Sequence, residues 1–213
     1  MTVSKYDPIR RGNPIKNEIV EPVKKPADRQ RLKNYWLHGH NQTGRRNWMI
    51  FRLGMVTGLR ASDLVRLRWQ QVYDDDNQPR PRIYNEKDQK TGKINHLLDI
   101  RPVHDDLVVY KDFVTSHVIN NPTVMFPQLR NPRKSIQSHT LYKIMRKAGD
   151  DLGLNHLGSH SIRKTFGYIA YSQTHNLGYV MKKLNQSNPS VTLRYIGIER
   201  ASINKITDSI NWN

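Results

Sequence analysis

Cysteine is absent from the chain. Disulfides, a thiol nucleophile and cysteine-ligated zinc are therefore excluded, and the composition fits a reducing cytoplasm. Acidic residues are few: 18 against 35 Lys plus Arg in 213 residues, for a net charge of +17. That excess is more than solubility needs and points to a polyanion, either nucleic acid or an anionic membrane. No apolar run approaches the roughly 18 residues of a spanning helix, and no N-terminal stretch has a signal peptide's apolar middle. There is no Walker-type glycine loop, so nucleotide hydrolysis has no support, and no internal repeat. Mean hydropathy is −0.76. Even so, four Trp, ten Tyr and periodic Leu, Ile and Val argue for a folded core rather than disorder.

What is present divides into an arm and one domain. Residues 1–26 hold Lys5, Arg10, Arg11, Lys16, Lys24 and Lys25, broken by Pro8, Pro14, Pro22 and Pro26. They read as a basic extended arm, either a disordered terminus or a DNA-contacting one. Residues 27–213 read as a mainly α domain with one small antiparallel sheet, an α+β fold. Helices are expected at 27–37, 45–57 (closed by Gly58), 61–69, 103–120, 138–152 (stopped by Gly153) and 176–184. Another is expected from His160 to about Tyr171, capped by Ser159. Residues 82–84 and 94–100 read as a hairpin with Lys90-Thr91-Gly92-Lys93 at its tip. Asn188 and Pro189 read as the cap and first residue of a helix with Tyr195 about two turns in. Residues 200–210 form a last amphipathic piece, with Ile203, Ile206 and Ile210 at spacings of three and four.

Several of these elements carry candidate chemistry. His160-Ser161-Ile162-Arg163 sets an imidazole and a guanidinium three apart on one helical face. Arg60 begins its own helix, and Asp63 lies one turn on, where it can hold the guanidinium. Two converging arginines make a fork for the non-bridging oxygens of a phosphate. A lysine at the hairpin tip can protonate a departing oxygen. Tyr195 would attack, although a phenol of ordinary pKa near 10 needs cations or a base to do so at neutral pH. Lys143, Arg146 and Lys147 share a helical face that is either a DNA-backbone contact or a solvated surface, and Arg194 adds a cation beside the tyrosine. His38 with His40, and His104-Asp105-Asp106, look like metal ligands but have no matching partner set, so no metal is expected.

Taken in order, Thr57-Gly58-Leu59-Arg60-Ala61-Ser62-Asp63-Leu64, Lys90-Thr91-Gly92, His160-Ser161-Ile162-Arg163 and Thr192-Leu193-Arg194-Tyr195 resemble the tyrosine recombinase (phage integrase) family over about residues 27–210. The resemblance implies site-specific DNA recombination or integration without metal, ATP or other cofactor, by a protein of phage, plasmid or other mobile-element origin in a bacterial host. It implies that Arg60 and Arg163 bind the scissile phosphate and that Lys90, or Lys93 in another register, is the general acid. His160 would assist proton transfer, and Tyr195 would form a 3′-phosphotyrosyl bond. It also implies a tetramer on double-stranded DNA, with the last helix docked on a neighbouring protomer. The isoleucine stripe fits that role and equally fits packing on its own domain.

Two departures from the family pattern stand out. Where the family usually has Leu-Gly-His nine residues before its tyrosine, this chain has Leu184-Asn185-Gln186. A glutamine amide donates a neutral hydrogen bond but carries no charge and exchanges no proton. Losing a charged donor to the phosphate costs on the order of 2–4 kcal/mol of transition-state stabilisation. The family's helical clamping domain of about 80–100 residues is also expected to be missing, with only the 26-residue arm in its place. Two rival readings follow: a DNA-binding regulator on a weakened recombinase fold, and a topoisomerase-like nicking activity.

Overall fold

The structure is a computed structural model that describes residues 20–39, 43–83, 98–119 and 122–198. It is organised around α2 (Gly44–Thr57), whose residues Met49, Ile50, Phe51 and Leu53 are all but fully buried. Each such side chain contributes about 1.5–3 kcal/mol when taken out of water. α1 (Pro26–His38) lays Leu32 and Trp36 against it, with the Trp36 and Phe51 rings 5.6 Å apart. α5 (His104–His117), entered through a 3-10 turn at Arg101–Val103, covers another side. α7 (Ser159–Thr174) covers a third, and α6 (Ser138–Leu152) packs on α1, α3 (Ala61–Val65) and α7.

A second, smaller apolar cluster lies between α7, α8 (Leu177–Leu184) and α9 (Pro189–Tyr195). Its buried members are Phe166, Val180, Leu184 and Ile196, with Tyr195 packed at its edge. Gly167 permits the close approach of α9: a Cβ there would lie 2.6 Å from Ile196 Cγ2. The Asn188 side chain accepts from Val191 N at 3.0 Å with Pro189 in the first turn, as the sequence led us to expect. Among the described residues no helix is long and apolar enough to cross a membrane.

Two expectations need adjustment. The helix read over 61–69 is two, α3 and α4 (Trp69–Val72). The break falls where the Leu67 carbonyl accepts from Met125 N at 3.0 Å and Trp69 N donates to the Thr123 carbonyl at 3.2 Å. Extended pairing with a distant segment overrides a helical periodicity that runs straight through. Ser159 is not the cap of α7. That position is Gly158, whose N–H donates to Ser161 Oγ at 3.1 Å, and the helix runs on to Thr174. The described residues contain isolated antiparallel bridges and no strand. Arg82 pairs with Asp99, and Ile83 N donates to the Leu98 carbonyl at 3.0 Å. The hairpin tip with Lys90 and Lys93 lies outside the described residues, as do most of the arm and Ile203, Ile206 and Ile210.

Candidate active site

Arg163 sits in the second turn of α7, only 8% exposed, between two backbone segments. One nitrogen donates to the Gly58 carbonyl at 2.5 Å and the other to the Leu184 carbonyl at 2.7 Å. The first carbonyl belongs to the turn between α2 and α3, the second to the end of α8. Gly58 closes α2 in the left-handed region at φ +67°, with its N–H on the Gly54 carbonyl. A Cβ there would meet the Phe166 ring at 2.5 Å, so both conformation and space call for glycine. The planar guanidinium is thus aimed by two main-chain oxygens, and its remaining N–H groups stay available.

Tyr195 lies beside this guanidinium. The Arg163 guanidinium hydrogen-bonds the phenol, and Arg60, the residue at the start of α3, is close enough to act on both. Asp63 is buried one turn into α3, its Oδ1 accepting from Ser62 Oγ at 3.3 Å, and its charge acts on Arg163. Burial lowers the Arg163 pKa, a change that Tyr195 and Asp63 oppose and Arg60 reinforces. Burial raises the Tyr195 pKa, while the charge and hydrogen bond of Arg163 and the charge of Arg60 pull it down. The resting phenol is therefore protonated, held by the group that would stabilise its anion.

His160 opens the same helical face. The residue keeps solvent access, yet protein packed around its ring lowers its pKa, and the charges of Arg163, Lys164 and Arg60 lower it further. A neutral imidazole, the form able to accept a proton, is the one present at neutral pH. Gln186 follows α8 by two residues, its N–H closing the helix on the Met181 carbonyl at 2.9 Å. Its Oε1 is buried without a hydrogen-bond partner among the described residues.

The structure therefore brings Arg60, Asp63, His160, Arg163 and Tyr195 together, with Gln186 on the segment that Arg163 anchors. The other cations stand further out. Lys143 and Lys147 are exposed on α6, Arg146 is half-buried there, and Lys147 is held by Asp151 at 2.9 Å. Arg194 is exposed on α9. Of the metal look-alikes, Asp106 pairs with Arg52 at 3.0 Å, and His104 Nε2 faces the Arg80 carbonyl at 2.9 Å. One residue at the site escaped the sequence reading. Lys164 lies with its Nζ 5.2 Å from the Tyr195 ring centroid. The available signal was spacing: His160, Arg163 and Lys164 stand at i, i+3 and i+4 on one helical face.

The model of the phage integrase family matches residues 25–201. The probable integrase/recombinase YoeC of Bacillus subtilis (strain 168) is 31% identical over 182 residues, which is 85% of this chain and 91% of that protein. The XerA recombinase crystal structure overlays with a TM-score of 0.65 at 17% identity, covering 94% of this chain and 68% of that one. A XerH site-specific recombinase in a post-cleavage complex with its difH substrate gives 0.65 at 14%, covering 91% and 54%. A lambda integrase dimer on a COC′ core site gives 0.61 at 15%, covering 93% and 51%. At such identities these structures speak for the fold alone.

Proposed function

This chain belongs to the phage integrase family, and we propose that it breaks and rejoins duplex DNA at a specific site through a covalent bond to Tyr195. The observation that supports this reading is the phenol of Tyr195 hydrogen-bonded to a buried guanidinium, with Arg60 and His160 beside it. In this reading Arg60 and Arg163 grip the non-bridging oxygens of the scissile phosphate and stabilise the charge that grows in the transition state. The Tyr195 oxygen attacks phosphorus as its proton passes to the neutral imidazole of His160. The bond from phosphorus to the 5′-oxygen breaks, and Lys90, or Lys93, protonates that oxygen. The phosphotyrosyl ester conserves the bond energy, so rejoining runs the same steps backwards without metal or ATP. The partner is duplex DNA at a defined site, on which we propose a homotetramer, in a phage, plasmid or related element. Trapping the adduct on a nicked substrate is the central test and is taken up in the Discussion.

The His160 shift carries a sign that can be measured. A bound phosphate adds negative charge beside the imidazole and raises its pKa. DNA binding then takes up a proton between the lowered free-protein value and neutrality. Duplex affinity should therefore rise as pH falls from neutrality towards the lowered free-protein value, by at most about tenfold per unit. His160→Gln should flatten this part of the profile when affinity is read by fluorescence anisotropy. An unchanged slope would assign the proton to another group.

Gln186 favours a second reading, a DNA-binding regulator in which cleavage has been weakened. Its buried oxygen, without a hydrogen-bond partner among the described residues, stands where the family pattern given above usually has a histidine. Gln186→His should raise the rate of adduct formation by roughly 10²-fold if a charged donor is what is missing. Tight site-specific binding with no gain in cleavage would instead favour the regulator.

A further inference from the structure

We infer that Lys24 and Lys164 are positioning residues for Tyr195, acting through the extended strap of residues 20–25 that precedes α1; the inference rests on Tyr195 being the nucleophile. α9 is a seven-residue helix with Tyr195 as its last residue. A helix so short does not hold itself together, and its C-terminal turn is the part most prone to fray. Asn188 secures the N-terminal end. Beyond the C-terminal end, the Gly197 carbonyl accepts from Lys24 Nζ at 2.7 Å, a bond spanning 173 positions of sequence. A cation there also suits the negative pole of the helix.

Lys24 can serve as an anchor because the strap is itself fixed. Val23 is buried, and its N–H donates to Thr165 Oγ1 at 2.8 Å. Glu21 N donates to the His156 carbonyl at 2.9 Å, and Arg29 Nη1 bonds the carbonyls of Val23 and Lys24 at 3.0 and 2.6 Å. Lys164 completes the link from the other side. Its Nζ donates to the Val20 carbonyl at 2.5 Å and lies 5.2 Å from the Tyr195 ring centroid. One lysine thus reaches from α7 to the strap beside the phenol, and the other reaches from the strap to the end of the phenol's helix. The nucleophile is bracketed by two contacts that share one support, so a displacement of the strap displaces Tyr195 relative to Arg163. Misplacing a reacting group by about 1 Å can cost on the order of 10²-fold in rate.

The test uses the full chain with Lys24→Met, Lys164→Met and Lys164→Arg. Three quantities are read: the single-turnover rate of adduct formation on saturating nicked duplex, the duplex Kd, and amide hydrogen exchange across residues 189–198. Both methionine variants should slow adduct formation about tenfold or more. Their Kd should stay within about threefold of wild type, since neither lysine is here a phosphate contact. Exchange should quicken in 189–198 and stay unchanged in α2. Lys164→Arg should recover most of the rate. Unchanged rate and exchange, or a loss confined to Kd, would overturn the inference and recast these lysines as DNA-backbone contacts. If wild type itself gives no adduct, the nucleophile assignment fails separately. Exchange in 189–198 then decides the strap alone, and no change there overturns it.

Discussion

Tyr195→Phe should abolish the covalent protein–DNA adduct on a nicked suicide substrate while leaving duplex binding in place. Removing a nucleophile typically lowers the chemical step by 10⁴-fold or more, on the order of 10⁶ where the catalytic groups act as a unit. The substitution is otherwise mild. The ring sits at the edge of the cluster formed by Phe166, Leu184 and Ile196, and phenylalanine fills the same space. What is lost in the fold is one hydrogen bond to a charged partner, worth about 1.5–3 kcal/mol. Part of that is regained, because phenylalanine has no hydroxyl to desolvate. The experiment is a denaturing gel on labelled duplex, with anisotropy as the binding control. Should Tyr195→Phe trap as much DNA as wild type, another residue is the nucleophile. Should both bind the site and neither trap, the chain is a regulator rather than a recombinase.

How much of this was legible in the sequence depends on how local each determinant is. The Gly58-Leu59-Arg60 turn, the His160 to Arg163 spacing and the Asn188-Pro189 helix start are each set within four residues. Each appears in the structure where the pattern placed it. The break after α3 was hidden because Leu64 and Leu67 keep a helical period while the Leu67 backbone pairs with Met125. The strap was hidden because its lysines bond main-chain oxygens, which any residue supplies, so no motif marks the acceptor. Arg163 was read as a cation of the site without the contacts that fix it. Its fixation by the Gly58 and Leu184 carbonyls depends on helix ends that meet only in three dimensions.

That double fixation gives the second large effect, at Arg163 itself. Arg163→Lys keeps the charge and much of the length, yet an ammonium has no planar fork. It cannot serve the Gly58 carbonyl, the Leu184 carbonyl and the phenol in the same fixed geometry while also offering a donor to a phosphate. Adduct formation should fall by roughly 10³-fold, the scale on which a transition-state guanidinium acts. Duplex affinity, spread over many cations in a chain of net charge +17, should change little. Arg163→Ala should do worse in a second way. Two buried carbonyls lose their donor, each at about 1–3 kcal/mol, so the thermal midpoint should drop clearly where Arg163→Lys lowers it less. Measuring rate, affinity and midpoint together separates the two roles. A lysine variant with near wild-type cleavage would mean that charge alone suffices and that the aimed fork is not what the reaction uses. An alanine variant with an unchanged midpoint would mean that the carbonyl contacts contribute nothing to holding α2, α7 and α8 around the phenol.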